Sequence, residues 1–125
     1  MATSSGCYPG RARIEAYGNG GFRFAGMSHR GSILCLPDAI MAWAVNNAND
    51  LTPASFAPVL ECEAQVRVLL LGTGPTQVFP GEAVSAALRQ AGMVVEAMNT
   101  GAACRTYNVL LEEGRPVAAA LIAVD

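Results

Sequence analysis

Two short segments of this chain concentrate residues able to do chemistry. Gly72-Thr73-Gly74 follows one apolar run, and Glu96, Asn99, Thr100 and Arg105 lie in and after a second. A Gly-Thr-Gly turn can aim backbone N–H groups at an anion. A helix start at Thr100-Gly101 can do the same, with Arg105 adding charge. A cluster of this kind suits an anion or small ligand, and the same residues equally make a tight turn and an ordinary capped helix. The dinucleotide fingerprint needs a third glycine three residues on, where this chain has Gln77, and no Walker motif is present.

Cys104 is the thiol with most chemical interest. Beside Arg105 and near a helix start its pKa can fall, giving a reactive thiolate. The alternative is a core position near Tyr107. Its one conceivable base is His29, the single histidine, far off in sequence. Glu15, Glu61, Glu63 and Glu96 show no signature spacing. Cysteines stand at 7, 35, 62 and 104, with no Cys-x-x-Cys pair. A zinc site takes four ligands at characteristic spacings, so no metal is expected, nor any other cofactor. Cys35 and Cys62 read as small buried hydrophobes. All eight basic residues are arginine, which excludes Schiff-base and P-loop lysine chemistry. Phe22, Phe24 and Trp43 form a candidate apolar patch for a protein partner, with Trp43 alternatively a half-buried anchor.

These residues must be positioned by a fold, and the composition bounds it. The chain has 125 residues, 52% hydrophobic and 14% charged, with net charge −2. That suits one domain with a sizeable core and is too apolar for disorder. No basic run offers a nucleic-acid surface. The longest uncharged stretch, 68–81, is broken by glycines and prolines and cannot span a bilayer. Residues 1–10 lack the apolar segment of a secretory signal, so a cytoplasmic location is expected.

Residues 1–12 read as a disordered tail and 14–124 as one α/β domain. Alternation over 13–17 and 22–24 around Gly18-Asn19-Gly20-Gly21 predicts a hairpin. Residues 27–31 read as a turn, and 32–36 and 40–45 as strands. Thr52-Pro53 starts a short helix over 54–60. From Val66 the pattern is strand, helix, strand, helix, strand. The strands are 66–71, 93–97 and 117–124. One helix opens at Pro80-Gly81-Glu82 with stripe Val84, Ala87, Leu88, Ala91. The second is capped by Thr100 with stripe Ala103, Tyr107, Leu110, Leu111. Links of about twenty residues suit parallel crossovers. In such a sheet ligands lie at the strands' carboxyl ends, which is where Gly72 and Asn99 fall.

Several stretches carry a family resemblance: Tyr17 to Phe24, Gly31 to Leu34, Leu36-Pro37 before Trp43, Leu71 to Gly74, and Gly92 to Thr100. The most specific is Ala102-Ala103-Cys104-Arg105-Thr106-Tyr107-Asn108, followed by Glu113 and an aliphatic end. Over roughly residues 14–124 the chain resembles the bacterial branch of an uncharacterised α/β family. That family includes mitochondrial respiratory complex I assembly factor three and an adipogenesis-associated domain protein. The resemblance implies a central mixed sheet, helices against one face and a smaller β layer on the other. It also implies an interaction or assembly role with a protein partner, without known enzymatic chemistry, and carries over no catalytic residue; the alternative is a small-molecule or anion-binding protein, or an enzyme, with its site at the strands' carboxyl edge.

Overall fold

A computed structural model describes residues 7–62 and 66–125. Its strands are β1 (Cys7–Pro9), β2 (Ile14–Gly18), β3 (Gly21–Phe24), β4 (Met27–Arg30), β5 (Ser32–Leu36), β6 (Ala39–Trp43), β7 (Val68–Gly72), β8 (Val94–Met98) and β9 (Val117–Leu121). The α-helices are α1 (Ala57–Leu60), α2 (Glu82–Gln90) and α3 (Thr100–Glu112). A six-stranded mixed sheet runs β1-β6-β5-β9-β7-β8, and a three-stranded antiparallel sheet runs β2-β3-β4.

The aliphatic second half dictates the centre of this arrangement. β7 pairs in parallel with both β8 and β9. Reaching β8 and then returning past β7 to β9 moves the chain in opposite directions across the sheet. Right-handed crossovers in opposite directions put their helices on opposite faces. Accordingly Val84 and Leu88 of α2 pack with Leu69, Leu71, Ala118 and Ala120 on one face. Ala103, Cys104 and Tyr107 of α3 pack with Leu70, Ala119 and Leu121 on the other. The expected mixed sheet, C-terminal βαβαβ unit and small β layer are all present. Helices lie on both faces, however, because α3 shares its face with the small sheet. All five residues of β9 are buried, and its Ala118, Ala119 and Ala120 let both layers approach closely.

Three local expectations are corrected. Residues 7–9, read as tail, form β1 antiparallel to β6, and Arg11 Nη2 donates to Arg115 O at 2.7 Å; residues 1–6 lie outside the described residues. Residues 27–30, read as a turn, are β4, because Phe22 and Phe24 need a second flanking strand to cover the main sheet. The helix read over 54–60 splits into a 3-10 segment (Pro53–Phe56) and the single turn of α1. Pro58 cannot sit inside a continuous helix, since its ring meets the carbonyl of Ala54.

The small sheet is two hairpins joined through β3. Gly18 pairs Gly21 and Phe24 pairs Met27, so each loop has two residues. Both loops have positive φ at both positions: Asn19 53° and Gly20 79°, Ala25 52° and Gly26 74°. That is the type I′ turn, which favours Asn-Gly. An alanine in the left-handed region costs about 1–2 kcal/mol. Ala25→Asn is therefore expected to stabilise the domain by about 0.5–1 kcal/mol, read as a higher urea midpoint at unchanged m-value.

Candidate functional site

Part of the strand-end cluster is brought together, and its polar atoms face one another. Thr100 is fully buried. Its hydroxyl donates to Ile122 O at 2.7 Å and accepts from Gly74 N at 2.9 Å. Thr100 N donates to Gly74 O, Ile122 N to Gly72 O, and Thr73 N to Met98 O, each at 2.9 Å. The ends of all three parallel strands are thus latched through one threonine. Gly72 makes the latch possible: a β-carbon there would lie 3.0 Å from Thr100 Cα and 3.1 Å from Leu121 Cδ2. No other residue lets the start of α3 come so near β7.

Thr73 holds the following loop. Its hydroxyl donates to Thr76 O at 2.6 Å, lies 3.1 Å from Met98 O, and accepts from Val78 N at 3.0 Å. Asn99, rather than Thr100, is the N-cap of α3, accepting from Ala102 N at 2.8 Å. Glu96 stands exposed on β8, the sheet's edge strand. Arg105 points elsewhere, with Nη1 3.4 Å from Tyr17 Oη. Gly72, Thr73, Gly74, Asn99 and Thr100 therefore converge, and Glu96 and Arg105 stand apart from them. The hydroxyls of Thr73 and Thr100 are spent on closing the strand ends. Among the described residues no three His, Cys, Asp or Glu side chains converge as metal ligands would.

The motif from Cys104 to Asn108 fastens α3 to its surroundings. Asn108 Oδ1 accepts from Ile14 N at 2.7 Å and its Nδ2 donates to Ile14 O at 2.9 Å. The side-chain amide thus pairs with the backbone of β2 as a neighbouring strand would. Thr106 Oγ1 reaches Met98 Sδ on β8 at 3.7 Å. Tyr17 lies across Gly101, where any β-carbon would strike its hydroxyl. Tyr17 and Asn108 stood in the resemblance, but no periodicity marked them as partners, because their contacts join elements 84 or more residues apart.

Cys104 is 2% exposed, and burial pushes its thiol up to about 12, with Arg105 offsetting only part. Cys35, fully buried, is raised further, by burial first and by Cys104 second, against a hydrogen bond from Tyr107. Tyr107 is raised above its ordinary range, chiefly by burial. A thiol held protonated is a poor nucleophile. The reactive-thiol reading of Cys104 gives way to the core reading, because its side chain enters the packing between α3 and the sheet.

The aromatic patch is likewise corrected. Phe22, Phe24 and Trp43 are 3%, 4% and 7% exposed. The phenylalanines face the main sheet alongside Ile33 and Cys35. Trp43 packs on Phe56 at 5.5 Å and donates from Nε1 to Ser55 O at 2.7 Å. Among the described residues the exposed large apolar side chains are instead Phe79, Val94, Val109, Met27 and Tyr17. Val94 lies on β8, whose outer side is open. Val94 N donates to Arg67 O on the β7 side, and Met98 O accepts from Thr73 N there. By strand alternation Val95 and Ala97 turn their backbone groups outward. Only Ala97 O has a partner among the described residues, Gln77 Nε2 at 2.7 Å.

Residues 14–122 match the family described as "Protein of unknown function (DUF498/DUF598)". The chain is 34% identical over 92% of its length to the mouse protein named NADH dehydrogenase [ubiquinone] 1 alpha subcomplex assembly factor 3, and spans 62% of that protein. It is 38% identical to an uncharacterised protein of Rhodobacter capsulatus, covering 98% of this chain and 93% of that one. A crystal structure of a Bartonella henselae protein, described as an outer membrane protein, superposes with TM-score 0.90 at 48% identity, over 94% of this chain and 99% of that one. Among the described residues no helix is long and apolar enough to cross a membrane.

Proposed function

This chain belongs to the DUF498/DUF598 family, and from that premise we propose that it acts as a non-enzymatic interaction factor of the assembly type, at home in the cytoplasm. The observation that carries this reading is its likeness, over nearly its whole length, to relatives named as complex I assembly factors. The strand ends support it, since their polar groups are consumed in holding the fold. The β8 edge supplies a docking surface. Its outward N–H groups at Val95 and Ala97 and carbonyl at Val95 suit an extended segment of a protein partner added as a further strand. Val94, 59% exposed, and Phe79, 76% exposed and two residues from Gln77, offer the apolar contacts that main-chain pairing lacks.

Affinity purification of the tagged chain from its native cells, with mass spectrometry, tests this. Recovery of membrane-complex subunits is expected, respiratory ones foremost. The double variant Phe79→Asp, Val94→Asp should lose at least about tenfold of that recovery, the loss of two apolar contacts in an interface. Its thermal unfolding should match the parent, because both side chains are exposed. A purification without any membrane-complex subunit would sink the proposal. Undiminished recovery by the double variant would remove the β8 edge as the surface.

A further inference from the structure

A second feature lies on the other side of the molecule and is independent of the β8 edge. Between the small sheet and the outer strands β1 and β6 is a wedge-shaped cavity of about 590 Å³. Its walls include Tyr8 from β1, Phe24, Met27 and His29 from the small sheet, and Ile33 and Ile40 from the main sheet. The register explains how it arises. Phe22 pairs His29 and Phe24 pairs Met27, so all four side chains share the face turned toward the main sheet. Tyr8 meets Phe24 edge-on at 5.9 Å and His29 lies 6.4 Å from Phe24. Between these contacts the two sheets part and leave the cavity.

One polar atom in this apolar setting is unaccounted for. His29 Nε2 is buried and has no hydrogen-bond partner among the described residues. Buried polar atoms of native folds are nearly always paired, and an orphan calls for a missing partner. The cavity's volume falls in the range of small-molecule sites, which are mostly apolar with a few placed polar groups.

We propose that this wedge binds a small amphiphile, an apolar body lying against Phe24, Ile33 and Ile40 with one protic head group hydrogen-bonded to His29. The neighbouring strands fix the walls, while His29 Nε2 is shielded as the ring stands, so the ring turns slightly to meet the head group. Ser28 and Arg23 point to the opposite face of the small sheet, where Arg23 Nη1 donates to Ser28 Oγ at 3.0 Å and its Nε lies 3.6 Å from Glu15. Ser28 and Arg30 also line the cavity; the Ser28 hydroxyl is engaged by Arg23, and the charge of Arg30 favours an anionic head group.

The test is titration of the full chain with 1-decanol, decanoate and decane, followed by methyl-resolved NMR. Saturable shifts are expected at Met27, Ile33 and Ile40, with 1-decanol or decanoate bound more tightly than decane. A preference for decanoate identifies an anionic head, and one for decanol a neutral head; either supports the proposal. Ala42, exposed at the cavity rim, gives a filling variant that spares the core. Ala42→Trp should weaken binding about tenfold or more. His29→Leu should lower decanol affinity about fivefold, one hydrogen bond's worth, while leaving decane unchanged. Shifts that do not saturate, that scatter over the surface, or that survive Ala42→Trp would overturn the site. Equal loss of decane and decanol in His29→Leu would overturn the head-group assignment.

Discussion

Thr100→Val is expected to be among the most damaging single changes in this domain, although it is isosteric and adds no charge. The hydroxyl it removes is fully buried and serves two partners, Ile122 O at 2.7 Å and Gly74 N at 2.9 Å. Neither partner has room for water, since Gly72 and Thr100 are packed to near contact. Each buried group left unsatisfied costs about 1–3 kcal/mol, so about 2–6 kcal/mol for the two. In a chain of this size that lowers the melting temperature by on the order of 10 °C. Thr100→Ser keeps the hydroxyl and loses one methyl, and should cost about 1 kcal/mol. Thr73→Val should also cost less, because its partners Thr76 and Val78 sit in a loop that water can reach. Calorimetry of the three variants decides the matter. If Thr100→Val melts together with Thr100→Ser, the latch has no energetic weight.

This latch marks where reading the sequence succeeds and where it stops. The βαβαβ half was legible because its signals are local. An unbroken run such as Val68 to Leu71 is what a strand covered on both faces requires. The stripe at Val84, Ala87 and Leu88 repeats at helical spacing. The convergence of Gly72 and Asn99 then followed from topology alone. What the residues do there was not legible. A threonine after a strand reads as a cap, whereas Thr100 is the buried joint of three strands and Asn99 is the cap. Cys104 beside Arg105 reads as an activated thiol until the packing of α3 shows it desolvated. The face taken by α3 also depends on strand order, which local periodicity does not carry. Phe22, Phe24 and Trp43 had the composition of an interface, and burial by a second sheet cannot be seen from composition. The β8 edge and the cavity beside His29 escaped for the same reason. Both are defined by what fails to pair across elements distant in the chain.

The buried thiols lead to a second large effect, a fall in stability at alkaline pH. Cys104 is raised from 9.0 to about 12, chiefly by burial, and Cys35 is raised beyond that. The fold keeps both protons where the unfolded chain releases them. The unfolded state therefore binds fewer protons above pH 9, and stability falls as pH rises. The contribution is whole below pH 9 and is lost as pH rises through the folded values. Each thiol removes about 1.4 kcal/mol per pH unit in that window, so the pair removes on the order of 5 kcal/mol by pH 11. Tyr107, raised from 10.0 by the same burial, steepens the loss above that pH. A loss of this size rivals the whole stability of a typical domain, about 5–15 kcal/mol. Urea unfolding at half-unit steps from pH 8 to 11 should show a flat region and then a steep decline. In Cys104→Ala the slope should fall by about one proton's worth, about 1.4 kcal/mol per pH unit, whatever the variant's stability at pH 8. A thiol reagent at pH 8 should label exposed Cys7 at once and reach Cys35 and Cys104 only as the domain unfolds. Parallel slopes for parent and variant, or prompt labelling of Cys104 in the folded domain, would show that the thiol meets water. The packing of α3 on the sheet leaves it no route to do so.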